Sequence, residues 1–193
     1  SEMCIRDSDS KSEWLPAIRD ILLYDMNLPR NYIASHFMVN TINTYLNDLK
    51  WTPAETIMAG IGQSITQVTP IAVARYTAAI ANGGSVVEPS LLLDTPSGSN
   101  TNLLSATTAN KLRDMMNYNV SAHYGTNRFP GLNLCAKTGT AEVGDGTSHA
   151  WFTGFLLDDA HPYAFVVLVE NAGGGLTNAG AVANTVLQAA VNK

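Results

Sequence analysis

In the run LNLCAKTGTAEV (Leu132 to Val143), Lys137, Thr138, Gly139 and Thr140 interrupt residues that otherwise suit a buried strand. An ammonium beside two hydroxyls and a glycine can hold a carboxylate. The lysine supplies charge, the threonines supply hydrogen bonds, and the glycine lets a ligand come close to the backbone. On an edge strand, the unpaired N–H and C=O groups could also accept an extended peptide as an added strand. The plainer alternative makes Lys137 a solvated charge and Gly139 a weak point in a sheet.

Other residues with chemical potential carry less. Cys135, two positions before Lys137, could be a reactive thiol, but a small packed strand residue is the better reading. His149 precedes Trp151 and Phe152 and has no nucleophile paired with it in the sequence, so it reads as a turn histidine hydrogen-bonded to backbone. The loop NAGGG lacks the Gly-Lys-Ser/Thr of a phosphate loop and reads as a flexible strand-to-helix connection. Gly60-Ile61-Gly62 lacks the third glycine of a dinucleotide fingerprint, and Glu142 and Glu170 are too weakly constrained to form an acid/base pair. The four histidines and two cysteines (Cys4, Cys135) show no metal-ligand spacing, so neither a metal nor a cofactor is expected.

The elements that must position Lys137 to Thr140 can be read from periodicity. TPIAVARYTAAIANGG predicts a helix capped by Thr69, with Pro70 in its first turn and Asn82-Gly83-Gly84 as a left-handed stop. Only Arg75 and Thr77 break its apolar surface, which places it inside a domain. Ser105 caps a second, amphipathic helix with Ala109, Leu112, Met116 and Val120 on the buried face and Lys111, Arg113 and Asp114 outside. Three strands follow, Leu132 to Glu142, Ala150 to Leu157 and Tyr163 to Glu170, joined by the short turns GDGTS and DDAHP that make neighbours antiparallel. A last helix runs from Asn178 to Val191 with Val182, Val186 and Ala190 on one side. Upstream, Pro16 to Met26 and Met38 to Leu49 show helical spacing, Val86 to Leu93 reads as extended, and Asp94 to Asn102 as a polar loop. The fold class is α+β, an antiparallel sheet with helices packed on it.

Composition bounds the partners. With 193 residues and 46% hydrophobic content, the chain can bury one substantial core. Net charge is −5, from 16 acidic and 11 basic residues, which argues against nucleic acid. No window is long and apolar enough to span a bilayer. Residues 1–13, SEMCIRDSDSKSE, are polar and aperiodic and read as a disordered leader or scar; residues 14–193 read as one globular unit.

Several stretches together resemble the C-terminal part of the transpeptidase domain of high-molecular-weight penicillin-binding proteins, of the monofunctional class B type. In order these are AGIGQ (Ala59 to Gln63), TPIAVARYTAAIANGG, AKTGTAE, HAWFTGF (His149 to Phe155) and YAFVVLVENAGGG (Tyr163 to Gly175). Lys-Thr-Gly is one of three elements of that family and of serine β-lactamases, after Ser-x-x-Lys and Ser-x-Asn. The resemblance implies a five-stranded antiparallel sheet backed by terminal helices, beside an all-helical region. It implies serine acyl transfer on D-Ala-D-Ala stem peptides of peptidoglycan, inhibited by β-lactam antibiotics, at the outer face of the bacterial cytoplasmic membrane. Cell-division or elongation membrane proteins would be its partners. Carried over by position, Lys137 and Thr140 are catalytic: Lys137 gives charge and proton-transfer help, and the N–H of Thr140 forms half of the oxyanion hole. Thr138, Gly139 and Thr140 bind substrate, with both threonine hydroxyls on its terminal carboxylate.

The pattern breaks at the nucleophile. The sole Ser-x-x-Lys is Ser8-Asp9-Ser10-Lys11, inside the polar leader, and Ser-x-Asn is absent. A serine nucleophile needs a desolvated lysine held against it, so Ser8 is rejected and no nucleophile is assigned. The expectation is a chain that begins after both elements, with the membrane anchor and the first two strands also upstream, and the apolar edge of the last strand left unpaired. Competing readings are a serine β-lactamase or D,D-carboxypeptidase, or a non-catalytic β-lactam-binding sensor or pseudoenzyme. The 193-residue chain alone is expected not to be acylated by fluorescent penicillin. Labelling that survives denaturation and disappears in Ser8→Ala would overturn that expectation.

Overall fold

The computed structural model describes residues 68–86, 89–90, 101–144 and 146–192. The chain divides into two compact units, Ser1–Val68 and Thr69–Lys193. The leader at 1–13, the upstream helices, Gly60 to Gly62 and Ser8 to Lys11 lie outside the described residues.

In the second unit, α1 spans Pro70–Ala81. Thr69 caps it in extended backbone, its Oγ1 accepting the Ala72 N–H at 3.3 Å. Beyond Asn82, Gly83 and Gly84 take positive φ, and Gly84 N–H reaches back to the Ala79 carbonyl at 2.7 Å. A side chain at Gly84 would run into the Leu104 backbone, so this stop needs glycine for space as well as conformation. The helix is less enclosed than its composition suggests. Ala72, Tyr76, Thr77 and Ala79 are buried, whereas Ile71 is 55% exposed.

The short β1 (Ser85–Val86) pairs antiparallel with β2 (Thr101–Asn102). β2 falls where the sequence reads as a polar loop, because two residues carry no periodicity to detect. Ser105 then caps α2 (Ala106–Asn119), its Oγ accepting the Thr108 N–H at 3.1 Å. Ala109, Leu112, Met116 and Val120 are buried, the face that the 3.6-residue spacing predicts. A π-turn, Val120–Tyr124, and a 3₁₀ turn, Thr126–Arg128, follow.

The sheet is a meander of β3 (Leu134–Glu142), β4 (Ser148–Leu156) and β5 (Ala164–Val169), in that spatial order and antiparallel throughout. These bounds shift the predicted strands by one or two residues at several ends. Among the described residues β5 is an edge strand of this sheet. Helix α3 (Ala179–Val191) closes the chain.

Alternation along the strands sorts side chains to two faces. Leu134, Ala136, Ala150, Phe152 and Leu156 meet Ala179, Ala183 and Leu187 of α3, together with Val120 and Phe129. Phe152 is fully buried and stacks on Phe129, 5.5 Å between centroids and 3° between planes. On the opposite face, Cys135 and Phe155 meet Met116 of α2 and Ile80 of α1. There α1 is tied to the sheet by hydroxyls: Thr77 and Thr153 lie 2.7 Å apart, and Thr153 donates to the Phe165 carbonyl at 2.9 Å. Thr77, only 3% exposed, is thus a satisfied polar group on a buried helix face.

On α3, Val182 and Val186 share a side, but that side faces solvent, at 45% and 58% exposure. The residues it buries are Ala179, Gly180, Ala183 and Leu187, of which Ala179, Ala183 and Leu187 join the core beneath the sheet. Small residues bring the helix backbone close to the sheet, and close packing takes the small face over the more hydrophobic one.

Candidate active site

β3 carries Lys137 to Thr140, and its pairing with β4 sets which way each group points. Lys137 faces Thr153, Thr138 faces Phe152, Gly139 faces Trp151 and Thr140 faces Ala150. Thr138 uses neither backbone group on β4. Its N–H donates to the Tyr124 hydroxyl at 3.1 Å, and its carbonyl accepts from Lys137 Nζ at 2.8 Å. Both therefore lie on the outer edge of β3. Leu134 agrees, since its carbonyl accepts from Asn117 Nδ2 at 3.1 Å. Antiparallel strands present successive residues alternately to the two sides, so the Thr140 N–H belongs to the same outer edge as that of Thr138.

Lys137 is half-buried on the face of α1 and α2, and burial pulls its pKa below the usual 10.5. Its ammonium has three donors, and its bond among the described residues is the one to Thr138 O. The result is a partly desolvated charge anchored to the outer edge of β3, on the face opposite to the side chains of Thr138 and Thr140.

The glycines explain how tightly this strand is backed. A Cβ on Gly139 would come within 3.0 Å of Trp151 Cβ, its cross-strand partner. A Cβ on Gly175 would lie 2.5 Å from the Gly139 carbonyl and 2.6 Å from the Trp151 carbonyl. Gly175 is buried, so NAGGG is not simply a flexible connection. Its last glycine presses backbone to backbone on the middle of the Lys-Thr-Gly strand. The loop is held from both sides: Gly173 N–H donates to Ser148 O at 2.9 Å, and Gly180 N–H to Gly175 O at 2.9 Å.

Neighbouring candidates resolve plainly. Cys135 is fully buried, its thiol donating to the Arg113 carbonyl at 3.4 Å, and burial pushes its pKa up to about 12. That is a packed thiol and a poor nucleophile at neutral pH. His149 accepts the Asn171 N–H on Nδ1 at 3.1 Å, the backbone hydrogen bond expected of it, but it lies in β4 opposite Ala141 and not in a turn. Glu142 ends β3 and Glu170 follows β5, and they are not cross-strand partners. Among the described residues no group of three or more His, Cys, Asp or Glu could hold a metal ion, and no helix is long and apolar enough to cross a membrane. Sequence reasoning missed Tyr124, which occupies the edge of β3 from a π-turn. No pattern in SAHYGTN signals that reach, which depends on how the end of α2 is wound.

Residues 38–189 match the family model described as "Penicillin binding protein transpeptidase domain". The chain belongs to this family. It is 31% identical over 175 residues to the peptidoglycan D,D-transpeptidase MrdA of Haemophilus influenzae, covering 74% of this chain and 27% of that protein. The chain thus spans about a quarter of the length of this curated relative. Among solved structures, the imipenem acyl-enzyme complex of penicillin-binding protein A from Mycobacterium tuberculosis superposes with a TM-score of 0.58 at 34% identity, over 69% of this chain and 33% of that one. The complex between penicillin-binding protein PBP2 and MreC from Helicobacter pylori gives 0.55 at 29% identity, over 74% and 30%. The α+β fold, helices on an antiparallel sheet, is that of penicillin-binding transpeptidase domains.

Two outcomes follow for the strand and its backing. Gly175→Ala is expected to destabilise the domain by about 1–3 kcal/mol through overpacking, whereas Gly174→Ala, with nothing within 4 Å of the added methyl, should be nearly neutral in denaturant unfolding. For Lys137, the folded pKa lies below the unfolded one, so the unfolded chain binds the proton more readily between the two. The penalty is full below the folded value and is relieved as pH rises towards 10.5. Lys137→Met should therefore be more stable than the parent at neutral pH, with the difference shrinking towards pH 10.5 in unfolding measured across that range.

Proposed function

We propose that this chain is the substrate-binding C-terminal part of a peptidoglycan D,D-transpeptidase of the monofunctional class B type. The protein carrying it would cross-link cell-wall stem peptides by serine acyl transfer at the outer face of the cytoplasmic membrane. The observation that carries this reading is the outer edge of β3. A partly desolvated lysine, two threonines and outward backbone N–H groups lie together on a strand backed by buried glycine. Such an edge can receive an extended peptide ending in a carboxylate.

In this reading the terminal carboxylate of a D-Ala-D-Ala stem meets the hydroxyls of Thr138 and Thr140 and the field of the Lys137 ammonium. Gly139 lets the peptide lie close to the strand. The N–H of Thr140, directed outward, supplies half of the oxyanion hole, and such a donor typically contributes about 10²–10³ in rate. Lys137, with its pKa lowered by burial, can pass a proton to and from the reacting groups more readily than an exposed lysine. The nucleophilic serine is not assigned to any residue of this chain. β-Lactams enter as analogues of the stem peptide terminus, consistent with the acyl-enzyme of the mycobacterial relative. A membrane-associated morphogenesis partner is the counterpart of the complex formed by the Helicobacter relative.

The test uses the full-length protein. Fluorescent penicillin should label it covalently, and Lys137→Ala should slow labelling by about 10²–10⁴-fold, the range for loss of a proton-transfer group. Rapid nitrocefin turnover would instead favour a β-lactamase, and the absence of any covalent labelling would favour a non-catalytic relative.

A further inference from the structure

Tyr124 sits at the end of the π-turn, whose i to i+5 bond runs from Gly125 N–H to the Val120 carbonyl at 2.9 Å. Its ring packs on the core, tilted 60° against Phe152 with centroids 6.0 Å apart. The hydroxyl is thereby held at the outer edge of β3 by a wedged ring. Among the described residues it makes two contacts, and both go to Thr138: it accepts the backbone N–H at 3.1 Å and lies 3.4 Å from Oγ1. An oxygen that accepts the N–H keeps its own proton for donation, and Thr138 Oγ1 is the partner within reach. When Tyr124 donates to that oxygen, the Thr138 hydroxyl is an acceptor on one side and must direct its own proton elsewhere.

We propose that Tyr124 is a positioning residue that turns the Thr138 hydroxyl into a committed donor for a ligand carboxylate. This rests on the reading of β3 as the substrate edge and adds a specificity determinant to it. By engaging the Thr138 N–H, Tyr124 also removes that position from strand pairing with a ligand. The device is local: a phenol on a rigid ring sets the polarity of one threonine.

A pair of ligands that differ only in charge tests this on the full-length protein. Second-order acylation rates are measured with benzylpenicillin and with its methyl ester, for the parent, Tyr124→Phe, Thr138→Val and the double variant. Tyr124→Phe keeps the ring and its packing and removes only the hydroxyl. It is expected to slow benzylpenicillin about three- to tenfold, the worth of one hydrogen bond, and to leave the ester rate unchanged. In the Thr138→Val background it should have no further effect on either ligand. Equal losses on acid and ester would show a packing role and overturn the proposal, as would no loss on either. A parent acylated by neither ligand would overturn the transpeptidase reading as well, which separates that failure from the failure of Tyr124 alone.

Discussion

The β3–β4 ladder is the constraint on which the rest of the molecule depends. Its register runs without a bulge from Leu134 opposite Leu156 to Glu142 opposite Ser148. Strand side chains alternate between faces, so a slip of one residue would send Lys137 to the face of α3 and Thr138 towards α1 and α2. The register is pinned by what each face buries. Leu134, Ala136 and Phe152 fill the α3 side, while Cys135 and Phe155 fill the other. Polar groups of the motif are therefore positioned by the apolar residues interleaved with them.

Much of this is written in local sequence. The spacing of Ala109, Leu112, Met116 and Val120 marks one helix face, and the caps at Thr69 and Ser105 place two helix starts. Short turns rich in glycine and aspartate impose an antiparallel meander. What escapes sequence reading is contact between distant segments. Tyr124 reaches β3 only because the end of α2 widens by one residue per turn, and no periodicity announces a π-turn. The solvent-facing valines of α3 misdirect a count of hydrophobicity, because alanine and glycine allow the closer approach. β2 is two residues long, too short for any pattern. Of the site, the Lys-Thr-Gly run was legible by residue type, and its outer-edge geometry was legible only once hydrogen bonds to Tyr124, Lys137 and Asn117 could be assigned.

The motif also shows how the domain accommodates an unfavourable group. A partly desolvated ammonium is a burden on folding, and the nearby Thr138 carbonyl offsets only part of it. Cys135, two residues earlier on the same face, shows the opposite adaptation: a fully enclosed thiol whose ionisation is suppressed. One strand therefore holds an inert buried group and a charge exposed enough to act, separated by a single alanine that the α3 side encloses.

Gly175 against Gly139 reaches beyond this molecule. Two stretches that look independent in the chain, the motif strand and the loop before α3, meet backbone to backbone and form one structural unit. The short motif is thus an incomplete description of itself. Moving AKTGTAE into another sheet would transfer its side chains and leave behind the surface they are pressed on, so a faithful graft has to carry NAGGG with it.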